Sequence, residues 1–218
     1  NQNMDPNRAR NVVRILESIY QTGSKNEAKY LNSFDPSSLK TTVFIPSIGD
    51  MEMCEDKPFI YYTIKRALDA KYVSRVIVLT DNKKTATTCK EFGAEVPFLR
   101  PPKLSSNISS IQDVLKFGIL KLIEMNYHTD LCVVLYKNYP FRPSGFIDDL
   151  IERFVREGAD CMLPMKDEGR AIWKKSNGDI QTINPFMPRN LKDDQFLVSH
   201  FGLGFVTHAN FVIDGSLG

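Results

Sequence analysis

The stretch 57–104 constrains the fold more than any other part of the chain. It places a short run of β-branched and aliphatic residues, RVIVL at 75–79, between two amphipathic helical patterns. Neighbouring positions in this run are all apolar, which is typical of an interior parallel strand covered on both faces. Gly93 follows the second helical pattern, where a helix C-terminal glycine is expected. The stretch therefore predicts a helix–strand–helix unit of an α/β protein.

Composition limits the function classes. A chain of 218 residues with 42% hydrophobic content predicts one domain with a substantial core. The net charge of +2 gives no argument for nucleic acid or a membrane surface as a partner. No stretch has transmembrane length. The cysteines are scattered without a CxxC motif, so we expect reduced thiols in a cytoplasmic protein and no zinc site. They are Cys54, Cys89, Cys132 and Cys161.

The pattern divides the chain into an N-terminal extension or linker, residues 1–40, and an α/β domain, residues 41–218. A helical stripe in the extension predicts a helix that either packs on the outside of the domain or docks a partner. Core strands are expected at 42–45, ended by Pro46, at 75–79, at 130–135 and at 159–164. Alternation of these strands with helices predicts a three-layer sandwich around a mostly parallel, Rossmann-like sheet.

Five short sequence segments resemble those of a known family: KPFIYYTI, RVIVLTDN, EFGAEVPFLRP, YPFR and REGADCMLPM. In this order and spacing, they resemble the cytidylyltransferase family of CMP-N-acylneuraminate (CMP-sialic acid) synthetases, over about 42–218. The resemblance implies a nucleotide-diphospho-sugar transferase fold. It also implies transfer of CMP from CTP to a nine-carbon sugar acid with release of pyrophosphate, aided by Mg²⁺. It further implies a homodimer with a dimerisation arm at about 166–196, in which Trp173 is expected to be an interface anchor.

The resemblance also indicates a set of nucleotide-binding residues. In the first loop these are Pro46 and Gly49. Arg100 matches an arginine that contacts the nucleotide, and its planar fork of donors suits phosphate. Ser109 and Ser110 match residues that hold the base. A second interpretation is that either serine caps the following helix, and both roles are compatible because a helix N-terminus is also an anion site.

The loop after the first strand departs from the family pattern. Relatives have a glycine-rich, basic loop of the form IPARGGSK there, which suits a triphosphate because its backbone N–H groups converge on phosphate oxygens. This chain has a shorter, acidic loop at 47–56. Its carboxylates would repel a triphosphate unless a metal ion intervened. Phosphate is therefore bound in another way, or binding is lost, or part of the loop is missing from this sequence. The carboxylates belong to Asp50, Glu52, Glu55 and Asp56.

The substrate side follows the strand at 130–135, where relatives have LQPTSPLR. Ligands of open α/β sheets bind beyond the carboxyl ends of strands. The resemblance, in which polar residues at this strand end face the substrate, implies that Lys137, Asn138 and Arg142 contact the substrate, together with Gly202 near a later strand at 197–206. Lys137 either restores positive charge to the site or is a solvated lysine. Arg142, like Arg100, is a candidate for phosphate or sugar contacts.

No catalytic residue or metal ligand is identified by sequence. The acidic Mg²⁺ motif of the family would follow position 218. Asp81 follows a strand and either reaches a metal or caps the next helix. Three functions remain open: a cytidylyltransferase, a catalytically degenerate member that serves as a binding or assembly module, and a nucleotide-sugar glycosyltransferase. A DxD motif would favour the last, and none is evident.

Overall fold

The computed structural model describes residues 35–106, 109–185 and 196–215. The predicted N-terminal helix and part of the predicted arm lie outside these residues. The strands in chain order are β1 (Thr41–Ser47), β2 (Met53–Cys54), β3 (Lys57–Pro58), β4 (Val73–Thr80), β5 (Leu131–Val134), β6 (Cys161–Met162), β7 (Met165–Asp167), β8 (Ile172–Ser176), β9 (Asp179–Asn184), β10 (Leu197–Ser199) and β11 (Phe205–His208). The helices are α1 (Phe59–Leu68), α2 (Lys83–Glu91), α3 (Ile111–Glu124), α4 (Phe146–Glu157) and α5 (Ala209–Asp214).

The central sheet has five strands in the order β4-β1-β5-β11-β6. β1 is parallel to both of its neighbours, whereas β11 is antiparallel to β5 and to β6. The pleat of β1 sends Val43 and Ile45 into one core cluster, which includes residues of α1, α2 and α4. It sends Phe44 into the other, with residues of α3 and α5. Helices therefore cover both faces of a mostly parallel sheet, and the predicted three-layer α/β fold is confirmed.

Pro46 does not end β1, as its sequence position had predicted. Leu135 N donates to Phe44 O at 3.1 Å, so the even-numbered residues of β1 turn their peptide groups towards β5. β5 pairs with β1 only as far as Phe44. Pro46 lies on the same side and has no N–H to donate, so it limits the pairing with β5 and leaves the pairing with β4 intact. β1 continues to Ser47 along β4.

Two other predicted strands have different bounds. The stretch 197–206 is not one strand, because β10 pairs with β7 outside the central sheet and β11 begins only at Phe205. The predicted strand at 159–164 is reduced to the two residues of β6. Strands β7 to β10 form two separate two-stranded sheets. The hairpin between β8 and β9 turns at Asn177 and Gly178, both at positive φ, which is typical of a two-residue hairpin turn.

Candidate functional site

The loops that follow β1 and β4 meet at the carboxyl edge of the sheet. Gly49 N donates to Asp81 Oδ1 at 3.3 Å, and Gly49 O accepts from Thr85 Oγ1 at 3.1 Å. Asn82 Nδ2 donates to Asp50 Oδ1 at 3.2 Å. Gly49 has a φ of 67°, a conformation that favours glycine. The first loop is therefore fastened to the second at the edge where ligands of such sheets bind.

The acidic segment 50–56 forms a tight hairpin in place of an open phosphate loop. β2 and β3 pair across it, Glu55 takes a φ of 54° in the turn, and Phe59 N donates to Glu52 O at 2.9 Å. The four carboxylates are exposed, and no ion pair forms between them and a cation of the described residues. Solvent screens exposed charges, so their repulsion of a nucleotide is weaker than it would be in a buried loop.

Asn82, and not Asp81, caps α2. Its side chain accepts from Lys84 N at 2.8 Å and from Thr85 N at 3.2 Å. The capping interpretation of Asp81 is therefore wrong, and its carboxylate instead faces Gly49 N and the neighbourhood of Arg100. The structure thus leaves Asp81 at the site as a candidate for ligand or metal contact.

Arg100 is a buried cation with an incomplete set of partners. Its backbone N donates to Thr80 O at 2.8 Å, which places it at the end of β4. The residue is only 5% exposed, and burial lowers the pKa of its guanidinium, an effect that the Asp81 charge opposes. Nη2 donates to Leu104 O, whereas the buried Nε has no acceptor within the described residues. Such a group is costly in the free protein, because an unpaired buried donor keeps its full desolvation penalty.

Ser109 and Ser110 lie at the start of α3, as predicted. Ser110 is the N-cap and accepts from Gln112 N at 3.2 Å, so its capping interpretation is confirmed. Ser109 Oγ lies 2.9 Å from Ser106 Oγ and donates weakly to Lys103 O at 3.4 Å. Their contact with a nucleotide base stays a prediction, and it is compatible with these bonds because the helix N-terminus retains unpaired N–H groups.

Arg142 is held wholly within the protein. It is 2% exposed, and burial lowers its pKa to about 10. All five of its N–H groups have acceptors, which is the full donor capacity of a guanidinium. As placed, it therefore has no free donor for a ligand. Nε donates to Leu203 O (2.6 Å), Nη1 to Thr63 Oγ1 (3.0 Å) and Tyr139 O (2.5 Å), and Nη2 to Tyr136 O (2.8 Å) and Gly202 O (2.9 Å).

Gly202 takes part through its backbone and its lack of a side chain. A Cβ there would lie 2.6 Å from Tyr139 Cε2 and 3.0 Å from Tyr136 Cδ2. Tyr136 N donates to Gly202 O at 2.9 Å. Between the two tyrosines, Lys137 is partly exposed and Asn138 is exposed, and neither side chain forms a hydrogen bond within the described residues. These two polar side chains of the loop therefore remain available to a ligand.

A groove of about 350 Å³ lies between α1 and the segment 140–143. Lys65 and Arg66 contribute positive charge there, and Tyr62 stacks at a tilt on Phe141, with 5.6 Å between ring centroids. Phe141 is 74% exposed. Sequence reasoning missed this groove, although the i, i+3, i+4 spacing of Tyr62, Lys65 and Arg66 places them on one helix face.

A divalent cation would find few protein ligands here. No group of three or more His, Cys, Asp or Glu side chains in the described ranges is arranged to hold a metal. Asp50 and Asp81 do lie on adjoining loops. Magnesium takes one or two carboxylates and completes its shell with water and phosphate oxygens. The residues present therefore fit a magnesium ion that is bound together with a nucleotide.

Fold and site together define an α/β protein of the nucleotide-diphospho-sugar transferase type. Among solved structures, a CMP:2-keto-3-deoxy-manno-octonic acid synthetase complexed with CTP is similar at a TM-score of 0.60 and 18% identity, over 81% of this chain and 77% of that one. A 4-diphosphocytidyl-2C-methyl-D-erythritol synthase from Anaerococcus prevotii has a TM-score of 0.60 and 9% identity, over 83% and 75%. At these identities, the likeness shows the fold alone.

The family follows from the sequence comparison. The family model described as Cytidylyltransferase matches residues 51–170, which is more than half of the chain. The chain belongs to the cytidylyltransferase family. The family resemblance of the five short sequence segments is therefore confirmed.

Curated relatives extend the comparison. The CMP-N,N'-diacetyllegionaminic acid synthase of Legionella pneumophila is 30% identical over 96 residues, 44% of this chain and 41% of that protein. The N-acylneuraminate cytidylyltransferase of Escherichia coli O18:K1:H7 is 27% identical over 154 residues, 70% of this chain and 32% of that protein. The chain thus spans between 32% and 41% of the length of these two curated relatives.

Proposed function

We propose that this chain is the nucleotide-binding core of an enzyme that transfers CMP from CTP to a nine-carbon sugar acid and releases pyrophosphate. Family membership supports the reaction class, and relatives named for legionaminic, N-acylneuraminic and pseudaminic acids support the sugar class. The observation that carries the proposal is Arg100, at the carboxyl edge of the sheet, whose buried Nε has no acceptor among the residues that the structure describes. A phosphate oxygen would supply that acceptor.

The reaction needs positioning and charge neutralisation more than covalent catalysis. A hydroxyl of the sugar acid attacks the α-phosphorus of CTP, and the bond to pyrophosphate breaks. Arg100 would bind a phosphate oxygen, and Ser109 with the N-terminus of α3 would hold the base. Lys137 and Asn138 would face the sugar acid from the loop after β5. Pro46 and Gly49 would line the nucleotide side through their backbone, as the resemblance implies.

Magnesium belongs to the proposal as a partner of the nucleotide. When bound, it would neutralise phosphate charge beside the acidic loop. Asp81 and Asp50 would be its protein ligands, since their loops are joined through Gly49 and Asn82. We expect CTP to bind more tightly with magnesium than without it.

A homodimer is also proposed. The arm has exposed apolar side chains, among them Trp173 at 56%, Ile180 at 69% and Ile183 at 44%. Burial of such side chains against a second copy would remove apolar area from water. No helix in the described parts of the chain is long and apolar enough to cross a bilayer. A cytoplasmic location, with neither nucleic acid nor membrane as partner, stays a prediction.

A second candidate is a catalytically degenerate member that binds a nucleotide or a partner without turnover. The acidic hairpin favours it, because four exposed carboxylates stand where relatives have a basic, glycine-rich loop. The names of the relatives favour nucleotidyl transfer over the glycosyltransferase alternative.

Calorimetric titration with CTP, UTP and ATP, each with and without Mg²⁺, tests the proposal. We expect CTP to bind best, and Arg100→Ala to weaken it by about tenfold or more, which is about 1.4 kcal/mol. Arg156→Ala is the matched control, because Arg156 is half exposed on α4 and forms an ion pair with the neighbouring Glu157 at 3.7 Å. Measurement of pyrophosphate release with candidate sugar acids then distinguishes an active cytidylyltransferase from a catalytically degenerate member. Failure of the wild type to bind any nucleoside triphosphate would refute both nucleotide proposals.

A further inference from the structure

We propose that Arg142 is a positioning residue, which fixes the two loops that present Lys137 and Asn138 and does not itself touch the ligand. We call segments 136–142 and 200–204 the Arg142 platform. The structural part of this inference stands on contacts within the chain. The ligand that the platform serves rests on the proposed function.

The guanidinium joins three separate parts of the chain. Two of its acceptors lie in its own loop, at Tyr136 and Tyr139, and two lie in the second loop, at Gly202 and Leu203. The fifth is Thr63 Oγ1 in α1. Four of the five are backbone carbonyls, so the bonds fix chain path and not side-chain identity. A planar fork of five donors matches this array, whereas a lysine ammonium offers three donors from one point.

Close packing limits the platform further. Tyr136 N donates to Gly202 O at 2.9 Å, so the two loops are also joined directly. The backbone of Gly202 lies so close to the ring of Tyr139 that a Cβ would be 2.6 Å from Tyr139 Cε2. Lys137 and Asn138 form no side-chain hydrogen bonds of their own within the described residues. Their positions are therefore determined by the backbone that Arg142 holds.

Thr63 connects the platform to the opposite side of the site. It is fully buried in α1, the helix that begins directly after β3 of the acidic hairpin. Its Oγ1 is the one side-chain acceptor of Arg142, at 3.0 Å. The loop on the sugar side and the hairpin beside the nucleotide side thus share α1 as a common support.

Hydrogen exchange of the ligand-free protein tests the inference. The variants are Arg142→Lys and Thr63→Val, and Arg156→Lys is the matched control on the surface. We expect amides in 136–142 and 200–204 to exchange about tenfold faster in Arg142→Lys, and less so in Thr63→Val, because each lost hydrogen bond raises the local opening population. Amides of β1 and β4 should keep their wild-type rates. An arginine that only contacts ligand would leave this ligand-free measurement unchanged.

Binding data separate positioning from contact with nucleotide. In Arg142→Lys we expect the KM for the sugar acid to rise about tenfold, while the dissociation constant for CTP stays within about threefold. Unchanged platform exchange in Thr63→Val and Arg142→Lys would overturn the inference. An equal loss of CTP affinity would also overturn it, since Arg142 would then act on the nucleotide side.

If Arg142→Lys does not fold, Thr63→Val decides alone, because that substitution keeps shape and removes one acceptor. If the wild type binds no CTP, the proposed function fails and the platform has no sugar acid to serve. The exchange measurement would still decide the role of Arg142 within the protein.

Discussion

Substitution by methionine is expected to affect stability differently at the two buried arginines, Arg100 and Arg142. Arg100 is 5% exposed, and within the described residues its side chain donates to one acceptor, Leu104 O. Arg142 is 2% exposed and has five. Methionine keeps much of the volume of arginine and removes the charge and all donors. We expect Arg100→Met to leave stability nearly unchanged while it weakens CTP binding.

The magnitude follows from the partners. Arg100→Met loses one hydrogen bond from a charged donor, about 1.5–3 kcal/mol, and removes an unpaired buried donor, about 1–3 kcal/mol in the other direction. Leu104 is only half-buried, so its carbonyl regains a water. The net change in the free energy of unfolding should be about 1 kcal/mol or less. Arg142→Met removes the arginine donors of Leu203 O, Tyr139 O and Thr63 Oγ1, whereas Gly202 O and Tyr136 O each keep a backbone donor. Three unpaired acceptors at about 1–3 kcal/mol each should cost about 3–5 kcal/mol or more.

Urea denaturation and CTP calorimetry on the same preparations measure both effects. For a chain of this size, about 1 kcal/mol corresponds to about 2–4 °C in Tm, so thermal melts resolve the difference between the two variants. The dissociation constant for CTP should rise about tenfold or more in Arg100→Met. A loss of more than about 2 kcal/mol in Arg100→Met with unchanged CTP affinity would refute the reasoning. Arg100 would then be a structural residue.

Three further perturbations have expected signs. Asn82→Ala removes the α2 cap and the hydrogen bond to Asp50. It should lower the free energy of unfolding, measured in urea titrations, by about 1 kcal/mol. An unchanged free energy of unfolding would mean that another group caps the helix. Gly202→Ala forces a Cβ towards the Tyr139 ring and should cost about 1–3 kcal/mol by the same measurement. Burial lowers the pKa of His208, so below about pH 6.5 the unfolded chain binds more protons than the folded one, and stability should fall from pH 7 to pH 5. His208→Gln should flatten that slope, and an unchanged slope would contradict the assignment.

The sequence was informative where structure depends on local pattern. The apolar run at 75–79 predicted a strand covered on both faces, and its last four residues, Val76, Ile77, Val78 and Leu79, are buried. Gly93 was expected at a helix end, and it has a positive φ of 95° there. Such features depend on neighbours within one or two turns, so periodicity and turn chemistry are enough to predict them.

The remaining features depend on contacts between distant segments. The separation of β10 from β11 depends on the pairing of Phe205 with Val134, which no local pattern encodes. Arg142 shows the same limit at the site. The sequence offered an arginine beside a strand end, where phosphate or sugar was the expected partner. Whether its donors meet a ligand or backbone carbonyls depends on the loops that close around it, including residues 61 positions further along the chain.

The sheet order also determines when this domain can finish folding. β6 pairs, among the described strands, with β11 alone, and β11 also covers the free edge of β5. Strands β4, β1 and β5 can associate once β5 has been synthesised, but β6 must wait for a strand that begins at Phe205. Until then one side of the nascent sheet presents unpaired peptide groups, which is the condition that favours association with other chains. A ribosome-bound intermediate that ends before β11 should therefore be the most chaperone-dependent stage in the biosynthesis of this domain.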